Sequence, residues 1–360
     1  MKIDLFDYHL PKELIAQTPI SPRDHSRLLV LEKESGKIED KHFYDLPDFL
    51  NADDVLVLNE TKVFPARLRG KKKTGGRVEV FLTHKINKHT WECLIGGRAL
   101  KINDKIYFAS LAESRREVDL QGEIIKDIDG KTKQVKFNLA DEDFLQLVEK
   151  IGHTPLPPYI KTEDSRQIKK DYQTVFAKDK GSVAAPTAGL HFTPELLEKI
   201  KAKGVEILTV TLHVGLGTFA PVEVDEIEEH QIHSEWASIS KYTVEKLNEL
   251  KQQGKNIVAV GTTAARLLEA FTNDQKNLVA GEKWVDIYIY PGYEYKFIDA
   301  LVTNFHLPKS SLLFMVSALV GRENVLAAYK HAIAEKYRFF SFGDAMFITQ
   351  KIKQKKKDPA

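Results

Sequence analysis

Small, hydroxyl-bearing and imidazole side chains are concentrated in the segment PTAGLHFT (186–193), which leads into a predicted helix. Small residues let a ligand approach the backbone, and the free amides at a helix start favour an anion. His191 lies in this segment, where an imidazole can act on a substrate or serve as a structural hydrogen-bonding group. The residues that we expect to contact a ligand here are Pro186, Thr187 and Gly189.

A second segment, HVGLGTF (213–219), follows a predicted strand and carries two glycines, Gly215 and Gly217. It does not match the dinucleotide-binding motif, because the third glycine is missing and Pro221 stands where a helix should begin. The two glycines still permit close packing on a flat ligand. The polar residues beside them are His213 and Thr218.

The segment HQIHSEW (230–236) brings together His230, His233 and Glu235. Two histidines and a carboxylate could bind a divalent metal ion. If the segment is extended, however, the two histidines point to opposite faces, because side chains alternate along a strand. We therefore expect no metal site, and we expect His233 and Glu235 to form hydrogen bonds with a substrate.

Four further side chains lie close to the ends of predicted strands or in the helix or turn beside them. Arg266, one turn into a helix, could bind a carboxylate with both arms of its guanidinium or pair with an acidic neighbour on the helix surface. Tyr290 and His306 follow two other strands. Asp344 is flanked by apolar residues, so it is either a buried acid or base with a raised pKa or a simple turn cap.

Composition excludes several classes of protein. The chain has 360 residues and a net charge of +2, so its overall charge does not indicate a nucleic-acid partner. Its one cysteine, Cys93, excludes an intrachain disulfide and a four-cysteine zinc cluster. The acidic opening residues and the lack of an 18-residue apolar run predict a cytoplasmic protein without membrane association.

Motifs of several enzyme classes are absent from the sequence. It contains no phosphate-binding P-loop, no Gly-x-Ser-x-Gly turn, no His-Glu-x-x-His pair and no Cys-x-x-Cys pair. These absences argue against an NTPase, an α/β-hydrolase, a zinc protease of that type and a thiol oxidoreductase.

The periodicity of apolar residues predicts two domains. Residues 1–62 and 141–360 alternate strands with helices, which is typical of an α/β domain with a mostly parallel or mixed sheet and flanking helices. Residues 63–140 contain about six short alternating runs separated by turn signals such as Asp129-Gly130, which predict an inserted small antiparallel β-barrel. In an α/β sheet, ligands bind at the carboxyl ends of the strands, where the polar residues above are expected.

A dozen segments in this order closely resemble the S-adenosylmethionine:tRNA ribosyltransferase-isomerase family of queuosine biosynthesis. The resemblance extends from about Ile3 to Ile348. The segments are DYHLPKELIAQTP, SRLLVL, LNETKVFPARL, GGRVEVFL, PLPPYI, YQTVFA, GSVAAPTAGLHFT, HVGLGTF, HSE, GTTAARLLEA, VTNFHLPKSSL and YRFFSFGDAMFI.

The resemblance implies a transferase that uses S-adenosylmethionine as a ribosyl donor. Its ribosyl group would be transferred to 7-aminomethyl-7-deazaguanine at the wobble position of a tRNA and isomerised, giving epoxyqueuosine. Adenine and methionine would be released. We expect a monomer that needs no metal ion.

The resemblance also suggests roles for the residues at the strand ends. The sulfonium acidifies the C5′ protons of the co-substrate, and adenine leaves more readily when protonated, so the reaction needs a base and an acid. The candidates for these proton transfers are His191, His213 and Asp344, with His306 in reserve. The segments 186–193 and 213–219 are expected to hold the co-substrate, with Tyr290 stacking on it or hydrogen-bonding to it, and Arg266 to bind its carboxylate.

A tRNA substrate changes how the local positive charges are interpreted. We expect some of them to contact phosphates, so that tRNA binding weakens steeply with salt. These residues are Arg23, Arg27, Arg67, Arg69, Lys71, Lys72 and Lys73.

Two other functions remain compatible with the residues themselves. An RNA methyltransferase would share co-substrate and partner, but it would leave S-adenosylhomocysteine instead of free adenine. A non-catalytic RNA-binding protein could be built on the barrel, but it would not need the polar residues at the strand ends of the other domain.

Overall fold

The computed structural model describes most of the chain. The described residues are 1–97, 100–108, 120–157, 159–162, 165–215 and 222–352. The predicted site residues Gly217 and Thr218 lie outside them.

Contacts divide the chain into two compact units. The α/β unit comprises Met1–Lys62, Pro158–Glu163 and Lys170–Ala360, and the barrel unit comprises Val63–Pro157 and Asp164–Lys169. The barrel unit thus continues past residue 140, because it includes the helix at Asp141–Ile151. The division into functional domains at residues 62 and 140 stays a prediction.

A mixed nine-stranded sheet forms the α/β unit. Its strands are β1 (Arg27–Glu32), β2 (Ile38–His42), β3 (Asp54–Asn59), β12 (Glu206–Leu212), β13 (Glu235–Ile239), β14 (Asn256–Val260), β15 (Gly281–Val285), β16 (Ala300–Asn304) and β17 (Ala345–Thr349), and two short strands, β4 (Thr61–Val63) and β11 (Asp179–Ser182), lie outside it. The order across the sheet is β15-β13-β12-β3-β14-β16-β17-β1-β2. Because β12, β3, β14 and β16 are parallel neighbours, their carboxyl ends meet at one edge.

Both faces of this sheet are covered. All six residues of β3 are buried, and they alternate between two hydrophobic clusters: Val55 and Val57 belong to one, and Leu56 and Leu58 to the other. Alternation places successive side chains on opposite faces. The close spacing of apolar residues in this strand therefore reflects burial on both sides, as in other doubly covered sheets.

Helices follow the strands as the sequence predicts. They are α1 (Asp141–Ile151), α2 (Arg166–Asp171), α3 (Pro194–Ala202), α4 (Lys241–Gln252), α5 (Thr262–Phe271), α6 (Ser311–Val320) and α7 (Arg322–Ala334). Two of these helices begin at a residue whose side chain caps the helix. The Thr193 side chain accepts a hydrogen bond from the backbone N–H of Leu196, and Ser240 accepts one from that of Thr243, which satisfies amides that have no partner within the helix.

Six antiparallel strands close a barrel in the second unit. They are β5 (Arg67–Lys72), β6 (Arg77–Lys85), β7 (Thr90–Gly96), β8 (Lys105–Phe108), β9 (Gln121–Asp127) and β10 (Thr132–Phe137), in the order β10-β7-β6-β5-β8-β9. Gly130, in the turn between β9 and β10, has φ 83°, a conformation that glycine adopts readily. The predicted fold class, α/β with a small antiparallel barrel, is confirmed.

Among the described residues, no single helix is long and apolar enough to cross a membrane. Helices α6 and α7 reach the necessary length and composition only as a pair, and the pair is bent by 114°.

Candidate active site

A cavity of about 640 Å³ lies within the α/β unit where the parallel strands end. It is lined by residues 185–188, 261–263, 303–310 and 340–341, together with Tyr159, Val214, Val222 and Leu312. Pockets for drug-sized ligands measure about 300–1,000 Å³ and combine apolar walls with a few polar groups. This cavity therefore fits a ligand such as a nucleoside.

Three of the residues predicted for the site line this cavity: Pro186, Thr187 and His306. The other predicted residues of the α/β strand ends that the structure describes lie outside its lining; they are Gly189, His191, His213, Gly215, His233, Glu235, Arg266, Tyr290 and Asp344. Their surroundings show what each of them can do.

His191 lies one layer behind the cavity wall. Its Nδ1 lies 2.7 Å from Oγ of Ser26, and its Nε2 lies 3.1 Å from Nδ2 of Asn304. The Oδ1 of Asn304 in turn accepts a hydrogen bond from the hydroxyl of Thr187 at 2.9 Å. Burial, with help from the positive charges of Arg338 and Arg23, lowers the pKa of His191 to about 3. The imidazole is therefore neutral and connects to the cavity through Asn304 and Thr187.

His306 lines the cavity directly. Its Nε2 lies 3.0 Å from Oγ1 of Thr303, its backbone N–H donates to the hydroxyl of Tyr329 at 3.0 Å, and its carbonyl accepts from the hydroxyl of Tyr8. No residue of the described chain forms a hydrogen bond with its Nδ1. Burial lowers its pKa to about 3, so the neutral ring has one nitrogen available to a ligand.

His213 directly follows β12 and does not line the cavity, whereas the next residue, Val214, does. The two side chains therefore lie on opposite sides of the chain. Its Nδ1 lies 2.7 Å from Oγ1 of Thr61, and its ring stacks on Trp236 with centroids 4.9 Å apart. A Cβ on Gly181 would lie 2.4 Å from the Nε2 of this ring, so only glycine fits there. Burial lowers the pKa of His213, against the opposing effect of Asp179.

Asp344 accepts hydrogen bonds from two backbone amides, those of Arg27 at 2.8 Å and Arg338 at 2.7 Å. Burial raises its pKa, although these hydrogen bonds and the two arginine charges act in the opposite direction. Both alternatives considered from the sequence thus have a physical basis, because the carboxyl is buried and also caps a turn.

Arg266 and Glu235 form a buried ion pair. The Nη1 of Arg266 lies 2.6 Å from Oε2 of Glu235, and Oε1 of Glu235 accepts from the backbone N–H of Gly215 at 2.9 Å. The Nε and Nη2 of Arg266 are buried and have no hydrogen-bond partner in the described chain. Buried N–H groups are nearly always satisfied, so these two atoms are candidates for contact with a ligand.

The remaining predicted residues of the α/β strand ends have fewer contacts that indicate a role. The ring of Tyr290 packs beside that of Tyr288 with centroids 4.9 Å apart, and Gly189 packs against Phe176. His233 is exposed, whereas Glu235 is buried with Arg266. No group of three or more metal-binding side chains placed to hold a metal ion is found among the described residues.

Three arginines that we expected at a tRNA surface interact with their own chain. Arg23 donates to the carbonyls of Gln173 and Lys170, at 2.6 and 2.7 Å. Arg27 lies over the ring of Tyr337, 3.7 Å from its centroid. Arg67 makes two hydrogen bonds with the carboxylate of Glu79, at 2.7 and 2.9 Å.

The exposed positive charges of the barrel lie on β5, β6 and the turn between them. Lys71 is paired with Arg77 of β6 on one side and with Tyr107 of β8 on the other, and all three are exposed. Arg69 shares this face, two residues along β5, and Lys73 is exposed in the turn, whereas Lys72 is partly buried. We call Arg69, Lys71, Lys73, Arg77 and Tyr107 the basic barrel face.

Sequence reasoning missed several polar residues of the cavity wall. Thr263, Thr303 and Asn304 line the cavity, but none of them is among the site residues predicted from the sequence. The available signal was their position, since each lies at the carboxyl end of a parallel strand or directly after one. Arg77 and Tyr107 were missed because cross-strand pairing places them beside Lys71.

A family model and a solved structure both match nearly the whole of this chain. The model of a family described as queuosine biosynthesis protein matches residues 3–348. The crystal structure of an S-adenosylmethionine tRNA ribosyltransferase from Thermotoga maritima is 36% identical in sequence and superposes with a TM-score of 0.54, covering 96% of this chain and 99% of that chain. The resemblance inferred from the sequence is confirmed, and with it the prediction of a transferase. The chain belongs to the queuosine biosynthesis protein family.

Proposed function

We propose that this protein transfers and isomerises the ribosyl group of S-adenosylmethionine onto 7-aminomethyl-7-deazaguanine at the wobble position of a tRNA. The products are epoxyqueuosine-tRNA, adenine and methionine. The observation that carries the proposal is the cavity of about 640 Å³ at the strand ends, in a chain that matches a ribosyltransferase over nearly its whole length.

The cavity has the chemistry that a nucleoside with an amino-acid tail requires. Its walls include Phe305, Leu312 and Phe340, which can pack against a flat base, and the hydroxyls of Thr187 and Thr263 can hydrogen-bond to base or sugar. The two unpartnered nitrogens of Arg266, one turn along α5 from Thr263, support the proposal that this arginine binds the methionine carboxylate.

We assign the removal of a proton to His306. The sulfonium of S-adenosylmethionine acidifies the neighbouring C5′ protons, so a neutral base positioned beside them can remove one. His306 is neutral, lines the cavity and has Nδ1 available, whereas both ring nitrogens of His191 have hydrogen-bond partners and the carboxylate of Asp344 is held by two amides. A general acid for the departing adenine is not assigned to a residue.

The first test measures free adenine by chromatography after incubation with S-adenosylmethionine and tRNA bearing the aminomethyl deazaguanine. Adenine should appear in equal amount to the modified tRNA, and tRNA with unmodified guanine should give none. His306→Gln should reduce the rate by about 10² or more, the usual contribution of a general base. Formation of S-adenosylhomocysteine instead of adenine would identify a methyltransferase and refute the proposal.

We propose that the basic barrel face binds the phosphates of the tRNA. Its four cations have exposed side chains, and the exposed ring of Tyr107 lies between strands β5 and β9, where it can stack on an unpaired base. Arg23, Arg27 and Arg67 contribute less, because their guanidinium groups already interact with carbonyl, carboxylate or aromatic groups of the chain.

Reversing two charges of this face should weaken tRNA binding. For Lys71→Glu with Arg77→Glu, we expect the affinity to fall at least tenfold at low salt and the salt dependence to decrease by about two released counterions. Filter binding or fluorescence anisotropy over a salt series measures both. A matched control reverses two exposed lysines of other barrel strands, Lys126 and Lys136. If both double variants bind tRNA equally well, the basic barrel face is not the docking surface.

A cytoplasmic location, a monomeric state and the independence from metal ions stay predictions. Size-exclusion chromatography with light scattering tests the second, and activity after treatment with a chelator tests the third.

A further inference from the structure

Two hydroxyls of the cavity wall have fixed and opposite hydrogen-bonding roles. The first belongs to Thr187, whose Oγ1 lies 2.9 Å from Oδ1 of Asn304. The amide nitrogen of Asn304 faces Nε2 of His191 and, at 3.5 Å, the carbonyl oxygen of Asp344, so this side of the amide must be the donor. Its oxygen therefore faces Thr187 and takes the hydroxyl proton. The Oγ1 of Thr187 can only accept from a ligand.

The second hydroxyl, that of Thr263, has the opposite role. Oδ1 of Asn59 accepts hydrogen bonds from two backbone amides, those of Thr61 at 3.2 Å and Leu212 at 3.1 Å, which fixes the orientation of this amide. Its Nδ2 therefore donates to Oγ1 of Thr263 at 3.1 Å. No acceptor for the Thr263 proton is found in the described chain, so this hydroxyl can donate to a ligand.

The two segments that carry these hydroxyls meet at Gly261. A Cβ on this glycine would lie 3.6 Å from Oγ1 of Thr263 and 3.7 Å from Cβ of Ala188, the residue after Thr187. Gly261 has φ 88°, which a larger residue adopts only with strain. The acceptor and the donor thus belong to neighbouring parts of one wall of the cavity.

We infer that Thr187 and Thr263 recognise the 6-amino group and an adjacent ring nitrogen of adenine. This inference rests on the proposed function, which places S-adenosylmethionine in the cavity. Adenine has an amino donor at C6 and acceptor nitrogens on both neighbouring edges, which complements an acceptor hydroxyl beside a donor hydroxyl. Hypoxanthine has a carbonyl oxygen at C6, which would face the lone pairs of Thr187 without a proton between them. The pair therefore selects adenine over hypoxanthine.

His191 then acts as a positioning residue for base recognition. It accepts one proton of the Asn304 amide and donates from Nδ1 to Ser26, which fixes the orientation of the amide from behind the wall. The burial that lowers its pKa keeps it neutral, so that Nε2 remains an acceptor at neutral pH.

The test compares binding of S-adenosylmethionine and its hypoxanthine analogue, S-inosylmethionine, by calorimetry without tRNA. The unmodified protein should bind the adenine compound about 10- to 100-fold more tightly, the usual effect of one mismatched buried polar group. Thr187→Val should bind the adenine compound about tenfold less tightly and lose most of this selectivity, whereas Thr187→Ser should keep it. Thr263→Val should also weaken binding of the adenine compound, and Thr263→Ser should not.

Two outcomes separate this inference from the proposed function. If the unmodified protein binds S-adenosylmethionine and Thr187→Val keeps full selectivity against S-inosylmethionine, the hydroxyl pair does not recognise the base, although the proposed function stands. If the unmodified protein binds neither compound, both fail. Thermal unfolding of each variant shows whether it is folded. If a valine variant is not folded, the binding selectivity of the corresponding serine variant still tests the inference.

Discussion

Replacing Glu235 with alanine should lower the free energy of unfolding by about 3–5 kcal/mol, because it leaves a buried guanidinium without its counter-charge. The side chains of Arg266 and Glu235 are only 6% and 2% exposed, so water cannot replace the lost partner. The change also removes the acceptor of the Gly215 amide. Urea unfolding followed by circular dichroism measures the effect.

A surface ion pair provides the control. Glu198 lies 2.9 Å from Lys201, but its side chain is 71% exposed, so Glu198→Ala should change the stability by less than about 0.5 kcal/mol. Replacing both members of the buried pair, Glu235→Leu with Arg266→Met, should recover much of the loss, since no unpaired charge remains. A loss below about 1 kcal/mol for Glu235→Ala would mean that water reaches the guanidinium.

Such a stability loss matters for the site because the pair adjoins segments of the cavity wall. Glu235 binds the amide of Gly215, next to the lining residue Val214. Arg266 follows the lining residue Thr263 on α5. Glu235 holds one arm of Arg266 and leaves two buried nitrogens without a partner. A ligand carboxylate that satisfies them removes part of this cost, so binding should stabilise the unmodified protein. For this reason we place Arg266 at the amino-acid end of the proposed co-substrate.

Local sequence signals were sufficient for much of the fold. The hairpin signal Asp129-Gly130 and the alternating runs predicted the barrel, and all six runs form its strands. The capping residues Thr193 and Ser240 are of the types that commonly start helices, and they start α3 and α4. These features depend on residues a few positions apart, which is why they can be inferred from the chain alone.

Local sequence signals did not predict which residues of the site form hydrogen bonds with one another. The sequence left open whether Arg266 pairs with a ligand or with a neighbour on its helix, and its partner is Glu235, at the start of β13. The chain from Ser26 through His191 and Asn304 to Thr187 joins three distant parts of the sequence. Such contacts are set by the order of strands in the sheet, which periodicity does not determine.

The partners of the positively charged residues could not be predicted from the sequence either, and here the sequence suggested too many binding residues instead of too few. Arg67 and Arg69 are two residues apart on one strand and look equivalent in the sequence. In the structure, the guanidinium of Arg67 makes two hydrogen bonds with Glu79, whereas Nε of Arg69 lies 3.7 Å from the same carboxylate and the side chain of Arg69 is 62% exposed. The partner, Glu79, comes from the neighbouring strand of the barrel. A count of positive charges therefore overestimates the number that can bind phosphate.

Stability should decrease on mild acidification, between about pH 6.5 and 4.5, because His191 and His306 are buried in the neutral form. Their pKa values are about 3 in the folded state, against about 6.5 for an unperturbed histidine. Below pH 6.5 the unfolded chain therefore takes up protons that the folded protein does not, and stability is lost as the pH falls. Each histidine should contribute about 1.4 kcal/mol per pH unit.

Other titrating groups do not hide this effect. The pKa of Glu226 is lowered to about 2, so its contribution is lost only below pH 4.5. His213, whose pKa is also lowered, acts in the same direction as the two buried histidines. Asp344 acts in the opposite direction, because a carboxyl with a raised pKa favours the folded state as the pH falls.

Single substitutions show how much each histidine contributes to the slope of the free energy of unfolding against pH. His191→Gln and His306→Gln should each be less stable at pH 7, yet each should lose stability less steeply between pH 6.5 and 4.5, by about 1.4 kcal/mol per pH unit, in urea titrations at several pH values. His233→Gln, at an exposed position, should keep the slope of the unmodified protein. An unchanged slope for His191→Gln would mean that this ring is protonated in the folded protein. In that pH range the ring could no longer accept from the Asn304 amide, and the arrangement that makes Thr187 an acceptor would hold only at neutral pH.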